Sequence, residues 1–194
     1  MKKIILASGS ANRKMIMDAL NIPYKIIPAE IDEKAIRDED LALRAEKIAR
    51  AKAESVAQNH KGIIIAGDSF AVHNGKVYER PKTIDEAKQM LKEESGNDNS
   101  LFYAGVCYLD KENNINYSTG IVVEFTTRKF SDDEINEIVN KYPVLTWAGA
   151  FSPSNIYGLT TISKMNGSLT GLTHGLPMEI IIPLLEKSGV KIKP

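Results

Sequence analysis

The chain has 194 residues, 43% of them apolar and 26% charged, with Lys plus Arg and Asp plus Glu balanced at 25 each. Such a length suits a single domain over residues 1–194, or two lobes around one cleft, and is enough to bury a real core. The charge balance leaves no net basic field to collect nucleic acid, no apolar run reaches the roughly 20 residues that span a bilayer, and the stretch after Lys2-Lys3 is too short for a signal peptide; a cytoplasmic protein is expected.

Strand-like and helix-like patterns alternate, as in an α/β protein. Lys2 to Ala7 reads as a short apolar strand that runs into Ser8-Gly9-Ser10-Ala11-Asn12-Arg13 and then a helix to about Leu20, closed by Asn21 and Pro23. At that junction free backbone N–H groups and the positive end of the helix dipole would face two hydroxyls and an arginine, which describes a phosphate site or simply a capped helix. Tyr24 to Pro28 reads as a second strand, the acidic Glu30-Ile31-Asp32-Glu33 follows, and a long helix runs from about Leu41 to Gln58. Ile63-Ile64-Ile65, bounded by Gly62 and Gly67, predicts a buried strand that ends at Asp68. Val72 to Tyr78 carries an Asn74-Gly75 hairpin turn. Thr83 to Glu86 and Ser131 to Glu134 are capping boxes that open helices closing near Ser95-Gly96 and Lys141. Between them, Leu101 to Leu109 and Ile115 to Thr127 pair around Asn113-Asn114. The last third is rich in Gly, Ser and Thr, and Pro177 to Lys187 forms the final helix before Gly189.

Several residues contradict their local setting. Lys52 falls in the middle of the apolar arc of Ala45, Ile48, Ala49 and Val56, so it faces inward. Its stem either packs while the ammonium snorkels to water, or the cation is aimed into a cleft. Asp68 stands next to the most apolar run in the chain, where it is either a turn residue or a carboxylate placed for a divalent metal or an attacking water. Glu33, alone, reads as solvated surface. Arg13 sits in the first turn of its helix, where the dipole disfavours a cation unless an anion is bound. Cys107, in an apolar run, reads as a packing thiol without a base nearby, and His60, His73 and His174 show no metal-ligand spacing and read as surface or turn residues. Neither Gly-x-Gly-x-x-Gly nor a Gly-Lys-Ser/Thr loop occurs, which argues against a dinucleotide fold or a Walker site.

Taken in order, these residues resemble the Maf family of house-cleaning nucleoside triphosphate pyrophosphatases from the N-terminus to the last helix. The family's Leu-Ala-Ser-x-Ser-Pro-Arg-Arg corresponds to Leu6 to Arg13, its Asp-Glu pair to Asp32-Glu33, and its Ala-x-x-Lys-Ala helix to Ala49 to Ala53. Gly-Ala-Asp-Thr is similar to Ala66-Gly67-Asp68-Ser69, Gly-Lys-Pro to Glu79-Arg80-Pro81, the helix with its Ser-Gly stop to Glu86 to Gly96, and Gly-Leu-Pro to Gly175-Leu176-Pro177. The resemblance implies a mixed, curved central sheet flanked by helices, with two lobes around a nucleotide-binding cleft, and a homodimer. It further implies a catalytic set of Asp68, Glu33 and Lys52, in which Glu33 and Asp68 hold Mg²⁺ or Mn²⁺ and one of the two, Asp68 ahead of Glu33, orients or deprotonates the water, while Ser8, Ser10, Arg13, Lys52 and Arg80 hold the phosphate chain as the α-phosphate is attacked.

Four departures accompany the match. Ala11-Asn12 replaces Pro-Arg, Arg80 replaces lysine, the His and Thr of the loop after Ser-Gly are missing within 97–104, and Ser154 stands in place of a glutamine. These leave open a catalytically weakened, nucleotide-binding regulator linked to cell division beside the hydrolase. Read as an uncompensated buried cation, Lys52 also carries a stability expectation: Lys52→Met should preserve or raise thermal stability.

Overall fold

A computed structural model describes residues 2–192. In chain order the elements are β1 (Ile4–Leu6), α1 (Ala11–Ala19), β2 (Lys25–Ile26), a 3-10 turn (Glu33–Ala35), α2 (Leu41–Asn59), β3 (Ile63–His73), β4 (Lys76–Tyr78), α3 (Ile84–Glu94), β5 (Ser100–Asp110) and β6 (Ile115–Thr127). They continue with α4 (Asp132–Lys141), two further 3-10 turns (Val144–Thr146 and Ala148–Ala150), α5 (Ile156–Thr161), β7 (Ile162–Asn166), α6 (Leu169–His174) and α7 (Met178–Lys187). The result is a mixed α/β fold whose hydrogen-bonded strand order is β2-β1-β3-β5-β6-β7, with β4 on β3. β1 pairs in parallel with β2 and with β3, whereas the β3–β4 and β6–β7 pairs are antiparallel. No helix among the described residues is long and apolar enough to cross a membrane.

The chain divides into two compact units, one of residues 1–69, 103–121 and 168–194, the other of residues 70–102 and 122–167. In the first unit the period-two alternation of the strands separates two apolar layers. Ile4, Leu6, Ile63, Ile65, Val106 and Tyr108 meet Met17 and Leu20 near α1 and Ile181, Leu184 and Leu185 of α7. Ile5, Ala7, Ile64, Ala66, Cys107 and Leu109 meet Ala49, Ala53 and Val56 of α2. Cys107 is fully buried as expected, and burial pushes its thiol up to about 12.

The second unit is punctuated by caps. Asn74-Gly75 makes the hairpin between β3 and β4, with His73 opposite Lys76. Ser131 forms a reciprocal capping box with Glu134 at the start of α4. At α3 only half of such a box forms: the Thr83 hydroxyl accepts from the Glu86 amide 3.1 Å away, while Glu86 accepts from the Lys82 amide at 2.6 Å.

Two expectations need correction, and one further stretch carries elements for which no expectation was made. β3 does not stop at Gly67: the run Phe70-Ala71-Val72 keeps it extended to His73, so Asp68 lies inside the strand rather than at its end. The polar stretch before Pro177 holds α5, β7 and α6, too short for periodicity to reveal, where Asn155 and Ser168 cap their helices by accepting from the Gly158 and Gly171 amides, each at 2.9 Å. His73 is no surface residue. Its Nδ1 lies 2.7 Å from the buried Glu94 carboxylate and 3.0 Å from the Ser100 hydroxyl, and burial pushes the Glu94 carboxyl above its ordinary range.

Candidate active site

The first unit gathers Arg13, Glu33, Lys52 and Asp68 from four separate elements. α2 is the most regular of them, with Asp40 capping its start by accepting from the amides of Ala42 and Leu43 at 2.9 and 3.1 Å. Its alanine-rich inner face lets the helix come close to the sheet, and two glycines make the approach closer still: a Cβ at Gly105 of β5 would fall on the Ala45 carbonyl, and one at Gly120 of β6 on the Ala42 carbonyl. Lys52, two turns further along that face, is buried.

The snorkelling reading of Lys52 therefore fails. Its Nζ lies 2.9 Å from Asp68 Oδ1 and 2.9 Å from Glu33 Oε1, so one ammonium bridges two carboxylates. Asp68 is itself buried, whereas the Glu33 side chain remains 49% exposed. The local chain explains why Glu33 and not Asp32 takes this part. Asp32 is the cap of the short 3-10 turn, accepting from the Lys34 amide at 3.1 Å, which leaves the next residue to turn toward Lys52.

Arg13, also buried, is held differently. Its guanidinium donates to the Gly175 carbonyl at 3.2 Å, to the Ser8 hydroxyl at 3.0 Å and to the Ser69 hydroxyl at 2.9 Å. All three acceptors are neutral. Burial lowers its pKa, an effect opposed by the charges of Asp68 and Glu33. Gly175 can serve because it is the left-handed cap of α6, at φ 65°, where its carbonyl turns back to Arg13. Gly67 flanks the same side chain: a Cβ there would lie 2.9 Å from Arg13 Nε.

The junction between β1 and α1 is more than a capped helix. Ser10 occupies the cap position but its hydroxyl makes no cap bond, no acid lies in the first helical turn, and the Ser10 amide donates to the Ser8 hydroxyl at 3.3 Å. Ser8 thus ties the junction to Arg13. Arg80 lies in the other unit, exposed, in the segment after β4. Ser69 and Gly175 stand in matched motifs but were assigned no role in the site; Ser69 adjoins Asp68, but alternation along the strand gives no hint that Arg13 reaches it.

Among the described residues no three His, Cys, Asp or Glu side chains converge as a metal cage. Two carboxylates nonetheless suit Mg²⁺, which characteristically takes one or two from the protein and the rest of its oxygens from water and substrate phosphates.

The pattern from Ser8 to Gly175 is matched over residues 3–188 by the family described as Maf-like protein. The chain belongs to the Maf family. A relative from Syntrophomonas wolfei named dTTP/UTP pyrophosphatase is 32% identical over 96% of this chain and 98% of its own. One from Hydrogenovibrio crunogenus named 7-methyl-GTP pyrophosphatase is 30% identical over 98% of this chain and 94% of its own. Among solved structures, the Staphylococcus aureus Ham1 protein shares the fold at a TM-score of 0.51 and 15% identity, covering 96% of this chain and 100% of that one. Within the Maf pattern, this chain's departures fall on varied ground: Ala11 is exposed and Asn12 half-buried beside the Arg13 cluster, while in the other unit the Ser154 hydroxyl shares a 2.8 Å hydrogen bond with Ser152.

Proposed function

We infer that this chain is a nucleoside triphosphate pyrophosphatase that hydrolyses its substrate at the α-phosphorus, giving a nucleoside monophosphate and pyrophosphate. The observation that carries the reading is the four-residue cluster in which Lys52 bridges Glu33 and Asp68 and the buried Arg13 donates to three neutral acceptors. A triphosphate needs fixed cations for its charge and an activated water at phosphorus, and the cluster contains both cations and acids.

In this reading Arg13 and Lys52 neutralise the phosphate chain and the pyrophosphate that leaves, and Ser8 keeps Arg13 aimed. The Ser10 hydroxyl and the open start of α1 receive phosphate oxygens. Asp68 accepts the proton of the attacking water. Glu33 and Asp68 hold a divalent cation, Mg²⁺ or Mn²⁺, which when bound polarises phosphate oxygens and acidifies water. The relatives' names favour a pyrimidine substrate, dTTP or UTP. We take house-cleaning of such nucleotides as the role.

The test is a panel of canonical and modified triphosphates, including dTTP, UTP and 7-methyl-GTP, incubated with Mg²⁺ and resolved by ion exchange. Monophosphate and pyrophosphate in equal amounts from at least one of them are expected. Binding without turnover across the panel would instead establish the regulatory reading.

A further inference from the structure

The Lys52 ammonium makes its two ion pairs with the same acids to which a divalent cation would be assigned. Its 2.9 Å contacts engage one oxygen of each carboxylate, and Lys52 and Asp68 are both buried. Charge balance makes this more than a positional coincidence. Lys52 and Arg13 against Glu33 and Asp68 sum to zero, and Arg13 feels both acids. A bare divalent cation would bring two uncompensated positive charges beside the buried Lys52 and Asp68, with solvent reaching the site only on the Glu33 side, and would have to compete with an ammonium already hydrogen-bonded to its ligands. A metal–triphosphate complex brings the same ion together with an excess of negative charge. Its phosphate oxygens can then take over Lys52 as the carboxylates turn to the metal.

We propose that Lys52 is a built-in counter-ion that closes the Glu33–Asp68 pair to free divalent metal, so that this enzyme takes up metal as its complex with the nucleoside triphosphate. The proposal rests on the pyrophosphatase reading and adds to it the form in which the substrate is bound. It also gives Lys52 two successive partners, the acids before binding and the phosphate chain after it.

The experiment is a Mn²⁺ titration of the protein without nucleotide, followed by electron paramagnetic resonance of the free ion, for the wild type, Lys52→Met and Lys52→Gln. Two substitutions are used so that one remains to be scored if the other unfolds the site, and circular dichroism establishes which variants to score. The wild type is expected to bind Mn²⁺ weakly. Either folded variant should bind it at least roughly tenfold more tightly, as expected when a cation a few ångströms from the ligands is removed, and Asp68→Asn in the same background should abolish the gain. The wild type should take up Mn²⁺ in a ternary complex with α,β-imido-dUTP, in which Lys52→Met weakens nucleotide binding. Equal Mn²⁺ affinity in wild type and both variants, or tight binding by the wild type alone, overturns the counter-ion. Pyrophosphate release by the wild type is scored separately: no turnover on the full panel overturns the activity, whereas flat Mn²⁺ affinity in an active enzyme overturns only the role of Lys52.

Discussion

Gly105→Ala tests the link between packing and site most severely. α2 passes so close to β5 that a Cβ at residue 105 would lie 2.0 Å from the Ala45 carbonyl oxygen and 2.4 Å from the Glu46 amide nitrogen, both backbone atoms that no rotamer change can move. Ordinary carbon contacts begin near 3.5 Å, so the helix must lift or the strand recede. Overpacking costs about 1–3 kcal/mol when side chains can adjust and more when backbone must shift, which puts this substitution at about 3 kcal/mol. For a chain of this size each kcal/mol moves the melting temperature by roughly 2–4 °C, so a fall of roughly 6–12 °C is expected. The same lift carries Lys52, on the same face of α2, away from Asp68 and Glu33, and a misplacement near 1 Å is expected to lower kcat/KM by about 10²-fold. Gly75→Ala is the control: at φ 77° with nothing within 4 Å of a Cβ, it costs only the left-handed conformation, about 1 kcal/mol. Differential scanning calorimetry and pyrophosphate release read both effects. A Gly105→Ala protein with wild-type melting temperature and turnover would refute the account of how α2 is seated.

Other expectations follow from individual contacts. Lys52→Met should destabilise the protein, reversing the sequence-based expectation, because the lysine is compensated rather than isolated; loss of the bridge strands Asp68, at about 2 kcal/mol, less than the ~3–5 of a fully buried pair because Glu33 is half-exposed. Urea unfolding checks this, and an unchanged midpoint would contradict it. The hydrogen bond from Arg128, with those from the Ser131 amide, holds Glu134 at about 2 against an ordinary 4.5. Its stabilisation is therefore present above the ordinary value and lost as pH falls through the folded one. The gap in urea midpoint between wild type and Glu134→Gln should accordingly narrow on acidification, and a pH-independent gap would count against the pair. Cys107, buried and with its thiol pushed up to about 12, should react with a disulfide reagent only on unfolding; rapid labelling of the native protein would show that the β5 layer opens.

Much of the site was legible because its oddities are local. Lys52 violates the helical period of its own segment, and Asp68 interrupts an apolar run, so each stands out from its neighbours alone. Partners drawn from distant parts of the chain were not legible. Ser69 and the Gly175 carbonyl join Arg13 only after α1, β3 and α6 are assembled, and His73 finds Glu94 and Ser100 only when β3, α3 and β5 come together. The alternation of β3 could not reveal where the strand ends, since Gly67 is as compatible with extended backbone as with a turn. Short elements capped by Asn155 and Ser168 escaped for a related reason: six-residue helices hold too few turns to show a period. The order of motifs along the chain carried more than any single motif, because a resemblance in spacing already encodes contacts that periodicity cannot.

The central claim is that Asp68 activates the water that cleaves a nucleoside triphosphate. It is tested most directly by comparing pyrophosphate release from dTTP and UTP with Mg²⁺ for the wild type and Asp68→Asn, with matched circular dichroism spectra. Turnover by the wild type and a loss of at least roughly 10²-fold in the folded variant, the lower end of what a general base contributes, is the predicted result. A folded Asp68→Asn protein that releases pyrophosphate at the wild-type rate would contradict it.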